Sequence, residues 1–324
     1  MLSELATRVQ AGDRTAIGQA ITLVESTLPS DRARAAALLD DLLPASGKAL
    51  RVGITGVPGV GKSTFIEALG LLLIERGHRV AVVAVDPSSS RTGGSILGDK
   101  TRMARLSVSP DAFIRPSPSA GSLGGVARAT REAMIVLEAA GYDRVLVETV
   151  GVGQSETVVH GMVDVFLVLM LSGAGDELQG IKKGVLELAD VVAVNKADGP
   201  NRERALQAAL DYQRALHLVQ PADSPWEPPV LTCSSLEGTG LEELWSAVEE
   251  HQRVMMATGG RDARRRDQQL EWMRTMLRER LLARMDADQG FAKARRAAEA
   301  AVVAGDVTPA VAVDRLLDGL DGPS

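Results

Sequence analysis

The chain is poor in cysteine, histidine and aromatic residues. Cys233 is its one cysteine in 324 residues. A lone thiol closes no intramolecular disulfide, and a reducing compartment is its natural setting. One cysteine and four histidines also exclude a cysteine-rich zinc module. The histidines, His78, His160, His217 and His251, stand far apart, with no pair at helical spacing. The longest clearly apolar run, residues 165–171, falls far short of the ~20 residues that span a membrane. The opening MLSELATRVQAGDR lacks a basic start followed by an apolar block, so no signal peptide is expected. Positive charge is not in excess: 36 Lys+Arg against 42 Asp+Glu give a net charge of −6. That balance argues against a protein devoted to non-specific nucleic-acid binding. The expectation is a soluble, cytoplasmic α/β protein with no nucleic-acid or membrane partner. At roughly 150 residues per domain, the length suggests about two domains, or one with additions.

What is present falls into three textures. In the first 45 or so residues, Leu5, Val9, Ala16, Ile17, Ile21 and Val24 recur at helical steps. Asp13 is placed to cap a helix running through Ile21, and a second helix is expected over 31–43. Residues 44–48 read as a linker. Short apolar runs then alternate with helical stretches. The runs are 51–55, 79–86, 144–149, 165–171, 191–195 and 230–233; the helices are 63–76, 126–140, 183–189, 202–218 and 241–251. Near-continuous apolar strands separated by helices predict a doubly wound, mostly parallel sheet covered on both faces. From Arg261 onward no strand-like run occurs. Leu270, Met273, Leu277, Leu281 and Met285 form one stripe of a long charged helix. Thr308-Pro309 reads as a cap and a first-turn proline of a last helix. The expected partition is a helical extension over 1–47, a nucleotide-binding domain over 48–258, and a second helical extension over 259–324.

The strongest chemical signal is Gly56-Val57-Pro58-Gly59-Val60-Gly61-Lys62-Ser63. It fits GxxxxGK[ST] and lies between a predicted strand and a predicted helix. Glycines let backbone amides turn inward around phosphate oxygens, and the helix N-terminus adds positive potential. Lys62 supplies a charge to the β- and γ-phosphates, and Ser63 a hydroxyl to Mg²⁺. Asn195-Lys196-Ala197-Asp198 follows the fifth predicted strand. Guanine offers two adjacent donors that one carboxylate accepts together; adenine lacks that pair. The motif therefore selects GTP/GDP. Cys233-Ser234-Ser235, ending a later strand, sits where GTPases place a backbone amide on the guanine oxygen.

Three acids suit the metal and the attacking water. Glu148, in Glu148-Thr149-Val150-Gly151, stands where most P-loop GTPases have aspartate, with Gly151 offering an amide to the γ-phosphate. Asp86 ends a strand at the edge where ligands sit. Asp99 lies in a Gly/Ser-rich loop. Either of the last two is placed to order Mg²⁺ or water. Residues 172–184 form a second glycine-dense loop, of a composition that changes shape with nucleotide state.

The phosphate loop, Asp86-Pro87-Ser88-Ser89, the 94–102 stretch, the 148–156 stretch and the 176–183 stretch together resemble the methylmalonyl-CoA mutase-associated GTPases, the MeaB/ArgK family. The resemblance covers roughly residues 1 to 320. It implies a homodimeric GTPase of the metallochaperone class. Such proteins serve an adenosylcobalamin-dependent acyl-CoA mutase, gate its cofactor loading and protect it from inactivation. It also implies phosphate binding by Gly56 through Thr64 and Mg²⁺ on Ser63, with Asp86, Asp99 and Glu148 around metal and water. Guanine would be read by Asn195, Lys196 and Asp198, with Ser234, Ser235 and Leu236 at the last base loop. Gln179 and Lys182 would work in a switch that addresses the mutase. A metal-insertion GTPase is the alternative, disfavoured by the scarcity of Cys and His; a small-molecule kinase is disfavoured by the NKAD motif. With no obvious arginine finger or glutamine in cis after Gly151, slow hydrolysis is expected without a partner.

Overall fold

A computed structural model describes residues 2–85, 103–116, 123–149, 155–173, 183–219 and 224–319. The chain opens with α1 (Leu2–Gln10), α2 (Arg14–Glu25) and α3 (Pro29–Leu42). The break between the first two falls at Gly12, whose φ of +78° suits glycine. Asp13 caps α2 as its position predicts, accepting from Thr15 N at 2.9 Å and Ala16 N at 3.1 Å. The second expected helix starts two residues early, because Pro29 is pre-set for a first turn.

The strands are β1 (Leu50–Gly56), β2 (Val80–Val85), β3 (Ala112–Arg115), β4 (Arg144–Thr149), β5 (Val165–Met170), β6 (Val191–Val194) and β7 (Val230–Thr232). Among the described residues they form one parallel sheet in the order β3-β2-β4-β1-β5-β6-β7. The doubly wound expectation is met. The strand β3 was not expected: it is a four-residue edge strand, too short for a pattern to betray it. Because of it, NKAD follows the sixth strand rather than the fifth.

Helices cover both faces. The helices α4 (Lys62–Glu75), α5 (Ala104–Ser107) and α10 (Leu241–Ala257) pack on one side, joining Phe65, Leu69, Leu106, Leu244 and Trp245 to Val52, Ile54 and Leu146. The other side carries α1–α3 with α6 (Leu123–Ala139), α7 (Ser155–His160), α8 (Lys183–Glu187) and α9 (Arg202–Val219). Their Ile17, Leu38, Leu137, Val159 and Tyr212 share a core with Val145, Val147 and Phe166. Burial on both faces is why the strands read as apolar runs rather than alternations. The first helices therefore belong to this core.

The N-terminal ends of the strands carry a ring of ion pairs. Arg265 grips both oxygens of Asp164 at 2.6 Å and donates to Ala49 O at 2.7 Å. Arg51 Nε donates to Glu138 at 2.6 Å, and Arg264 to Asp190 at 2.9 Å.

The chain divides into two compact units, with the boundary between Arg265 and Arg266. The second contains most of α11 (Gly260–Ala287), then α12 (Gln289–Ala304) and α13 (Pro309–Asp318). Asp288 caps α12 and Thr308 caps α13, with Pro309 following as expected. Along α11, Leu270, Met273, Leu277 and Leu281 are each about half exposed. Among the described residues, no helix is long and apolar enough to cross a membrane.

Candidate nucleotide site

The phosphate loop leaves β1 at Gly56, where φ is +155° and a Cβ would stand 2.5 Å from Leu169 O. No other residue fits that approach. Gly61, at φ +93°, opens α4. Val60 anchors the loop with a fully buried side chain, while Pro58, Gly59 and Thr64 face solvent. Lys62 Nζ donates to Gly56 O at 2.8 Å and to Val57 O at 3.4 Å, so the ammonium is held inside its own loop. Burial pulls its pKa below the ordinary lysine range, and the charges of Glu148 and Glu156 work against that pull. An anion entering the loop would replace weak carbonyl partners with a full counter-charge. Ser63 Oγ donates to Glu148 Oε1 at 3.1 Å across 85 residues of chain. Glu148 itself is 4% exposed.

The NKAD segment is tied to this loop by its first two residues. Asn195 Nδ2 donates to Val60 O at 2.8 Å, and Lys196 Nζ to Gly59 O at 2.8 Å. Lys196 is the one non-glycine residue with positive φ among the described residues, at +61°. Such backbone strain persists only where surroundings enforce it. The Asn195 carbonyl oxygen accepts from Ser235 N at 3.1 Å and Ser235 Oγ at 2.8 Å. One side chain thus joins the phosphate loop, the NKAD loop and the serine loop. Asp198 Oδ2 accepts from Ser234 Oγ at 2.6 Å. The serine loop closes on itself through Ser234 N to Thr239 O at 2.9 Å, leaving Leu236 83% exposed. Beside it, Asp198, Arg202, Cys233, Glu237 and Thr239 line part of a cleft of about 590 Å³. Burial pushes the Cys233 thiol up to about 12, so it stays protonated and unreactive.

The structure therefore brings together Gly56 through Ser63, Glu148, Asn195, Lys196, Asp198, Ser234 and Ser235. Asp86, Asp99, Gly151, Gln179 and Lys182 lie outside the described residues. Sequence reasoning gave no role to Glu156, which is 5% exposed and whose charge acts on Lys62. It also passed over Thr55 and Thr149, which are hydrogen-bonded to each other beneath the site. A hydroxyl in an otherwise apolar run was the available signal.

A family model described as methylmalonyl Co-A mutase-associated GTPase MeaB matches residues 17–290. The chain belongs to the MeaB family. This MeaB-family chain is 60% identical to a probable GTPase of Mycobacterium tuberculosis over 314 residues, covering 97% of this chain and 94% of the relative. It is 48% identical to the GTPase ArgK of Escherichia coli, covering 97% and 95%. A mitochondrial methylmalonic aciduria type A homolog of Mus musculus is 44% identical, covering 98% and 79%. Among solved structures, one described as an LAO/AO transport system kinase superposes with a TM-score of 0.80 at 41% identity, over 99% of this chain and 97% of that one. The protein is a P-loop GTPase: it binds guanine nucleotide and hydrolyses GTP.

Proposed function

We propose that this GTPase works on an adenosylcobalamin-dependent acyl-CoA mutase of the methylmalonyl-CoA type, gating cofactor loading and protecting the loaded enzyme. The family description and the name of the mouse relative support a mutase as partner. The single structural observation behind the nucleotide chemistry is the Asn195 junction. It makes the base-reading and phosphate-holding segments one rigid unit.

Within that unit the loop amides from Gly56 to Thr64 hold the phosphates, and Lys62 leaves its carbonyl partners for the β- and γ-oxygens. Asp198 reads guanine, Lys196 covers the loop, and Ser234, Ser235 and Leu236 form the far wall. Mg²⁺ fits the donors present: the Ser63 hydroxyl and Glu148 carboxylate are hard oxygens 3.1 Å apart. Asp86 would join them as a second acid and Asp99 would order water, while Gly151 would give its amide to the γ-phosphate. When bound, the cation neutralises charge developing on the transferring phosphoryl group. The protein contributes positioning. No arginine follows Gly151 in the 151–156 stretch to complete the charge, so turnover is slow until the partner docks.

Gln179 and Lys182 carry the nucleotide state to the mutase. Residues 1–47 buttress the GTPase domain of 48–258. Residues 259–324 form a homodimerisation element, with the half-exposed stripe of α11 as its apolar face.

The deciding experiment is GTP turnover alone and with purified adenosylcobalamin-dependent methylmalonyl-CoA mutase at matched concentration. Marked stimulation, absent with a control protein, supports the reading. Unchanged turnover removes the mutase and keeps the GTPase. Replacing Gln179 and Lys182 with Ala should preserve GTP affinity and reduce stimulation; an equal loss without partner would place both residues in the basic active site instead.

A further inference from the structure

Side chains of a strand alternate between the faces of its sheet. The strands β1 and β4 run in register with Ile54 opposite Glu148. That level faces α4, where Glu148 meets Ser63. The next level, Thr55 and Thr149, faces the other side. There the neighbouring strand residues Val145, Val147, Phe166 and Val168 are apolar core. Thr55 is 1% exposed and Thr149 0%. Valine would fill either place without burying a hydroxyl, which is costly unless paired. The two hydroxyls pair with each other: Thr149 Oγ1 donates to Thr55 Oγ1 over 2.8 Å.

The position of this bond is what matters. The β1–β4 register runs from Leu50–Arg144 to Ile54–Glu148 and stops there. The threonine bond adds one further rung, immediately before Gly56 on one strand and immediately after Glu148 on the other. It fixes the two strand ends from the face opposite α4. The groups that depend on their spacing are Glu148 and Ser63, 85 residues apart in sequence. We infer that Thr55 and Thr149 are a positioning pair that holds the Glu148 carboxylate in register with the phosphate loop for divalent-cation binding. The pair touches neither nucleotide nor cation. The inference rests on the proposed reading of Ser63 and Glu148 as the metal side of the site.

The test uses Mn²⁺ as the probe, titrated into the full-length GDP-bound protein and followed by electron paramagnetic resonance, with thermal unfolding alongside. Thr149→Val should weaken Mn²⁺ binding about tenfold, the range in which groups that orient a metal ligand act. GDP affinity measured without divalent cation should stay near the wild-type value. Thr149→Ser keeps the hydroxyl and should recover most of the loss. Thr55→Val should match Thr149→Val, and the double variant should be no weaker than either, because both remove one shared interaction. Thr55→Val carries the test if Thr149→Val does not fold. A lower unfolding temperature with wild-type Mn²⁺ affinity would make the pair merely structural and overturn the inference. Glu148→Gln separates the two layers. If it binds Mn²⁺ like wild type, the metal reading itself fails; if it is weakened while Thr149→Val is not, the pair alone fails.

Discussion

The two rims of the sheet are built on opposite plans. At the N-terminal rim, guanidinium groups meet carboxylates at full strength: Arg265 with Asp164, Arg51 with Glu138, Arg264 with Asp190. The Asp164 side chain is 1% exposed. At the C-terminal rim several charged groups hydrogen-bond neutral partners. Lys62 and Lys196 rest on backbone carbonyls, and Lys196 holds a left-handed backbone. Glu148 accepts from a serine hydroxyl and Asp198 from another. A charge whose hydrogen bonds go to neutral partners gains on meeting an opposite charge; one already in a close ion pair gains less. The first rim is therefore arranged to hold the fold, and the second to yield its groups to a ligand.

The sharpest test of this contrast is Arg265→Ala. Removing one member of a buried ion pair strands the other, at about 3–5 kcal/mol. For a unit of this size that lowers the unfolding temperature by about 10 °C. GTP turnover at moderate temperature should change little. A thermal scan and a turnover assay on one preparation check both; a turnover loss matching the stability loss would erase the distinction between rims.

Lys62→Ala should do the reverse. Losing one preorganised charge on the transferring group costs a hundredfold or more in turnover. The nucleotide-free protein should unfold at an unchanged or higher temperature, since a partly buried charge is gone. Wild-type turnover would remove the phosphate-site reading.

Asp198→Asn should weaken GTP binding by about 2–3 kcal/mol, roughly 30- to 160-fold. It should also improve binding of the xanthine nucleotide, whose carbonyl replaces the guanine amine and accepts from the new amide. Competition binding with both nucleotides measures this, and loss of both affinities alike would deny Asp198 a place at the base.

A pH-dependent effect concerns His160, against Phe166 and near the N-terminal rim. Burial first, then the charge of Arg264, depresses its pKa from 6.5 to about 4. Below pH 6.5 the unfolded chain takes up a proton that the folded ring refuses, so this contribution to stability falls as pH drops towards about 4. His160→Gln should flatten the stability curve over that window, read from denaturant midpoints at several pH values. An unchanged slope would show that the ring titrates normally.

Much of this was legible in the chain itself. The phosphate loop and NKAD are contiguous, so their chemistry is written in adjacent residues. The strands betrayed themselves because both faces are buried, and Asp13 and Thr308 marked helix starts by local capping. The misses have a common cause. The strand β3 is an edge element too short for periodicity. Thr55–Thr149 and Ser63–Glu148 join residues 94 and 85 positions apart, and Arg265 reaches back 101 positions to Asp164. No window of sequence contains such a pair.

The sequence by itself determined that this is a doubly wound P-loop GTPase, because glycine placement, strand hydrophobicity and the NKAD carboxylate act through local geometry; the MeaB family showed through the resemblance of its further motifs. Only the tertiary structure decided that Asn195 locks three loops together, that Lys62 is held on its own loop's carbonyls, and that the strongest ion pairs gather at the opposite rim. These depend on where parallel strands end relative to one another, and that is settled when the sheet closes its core, not by any residue's neighbours in the chain.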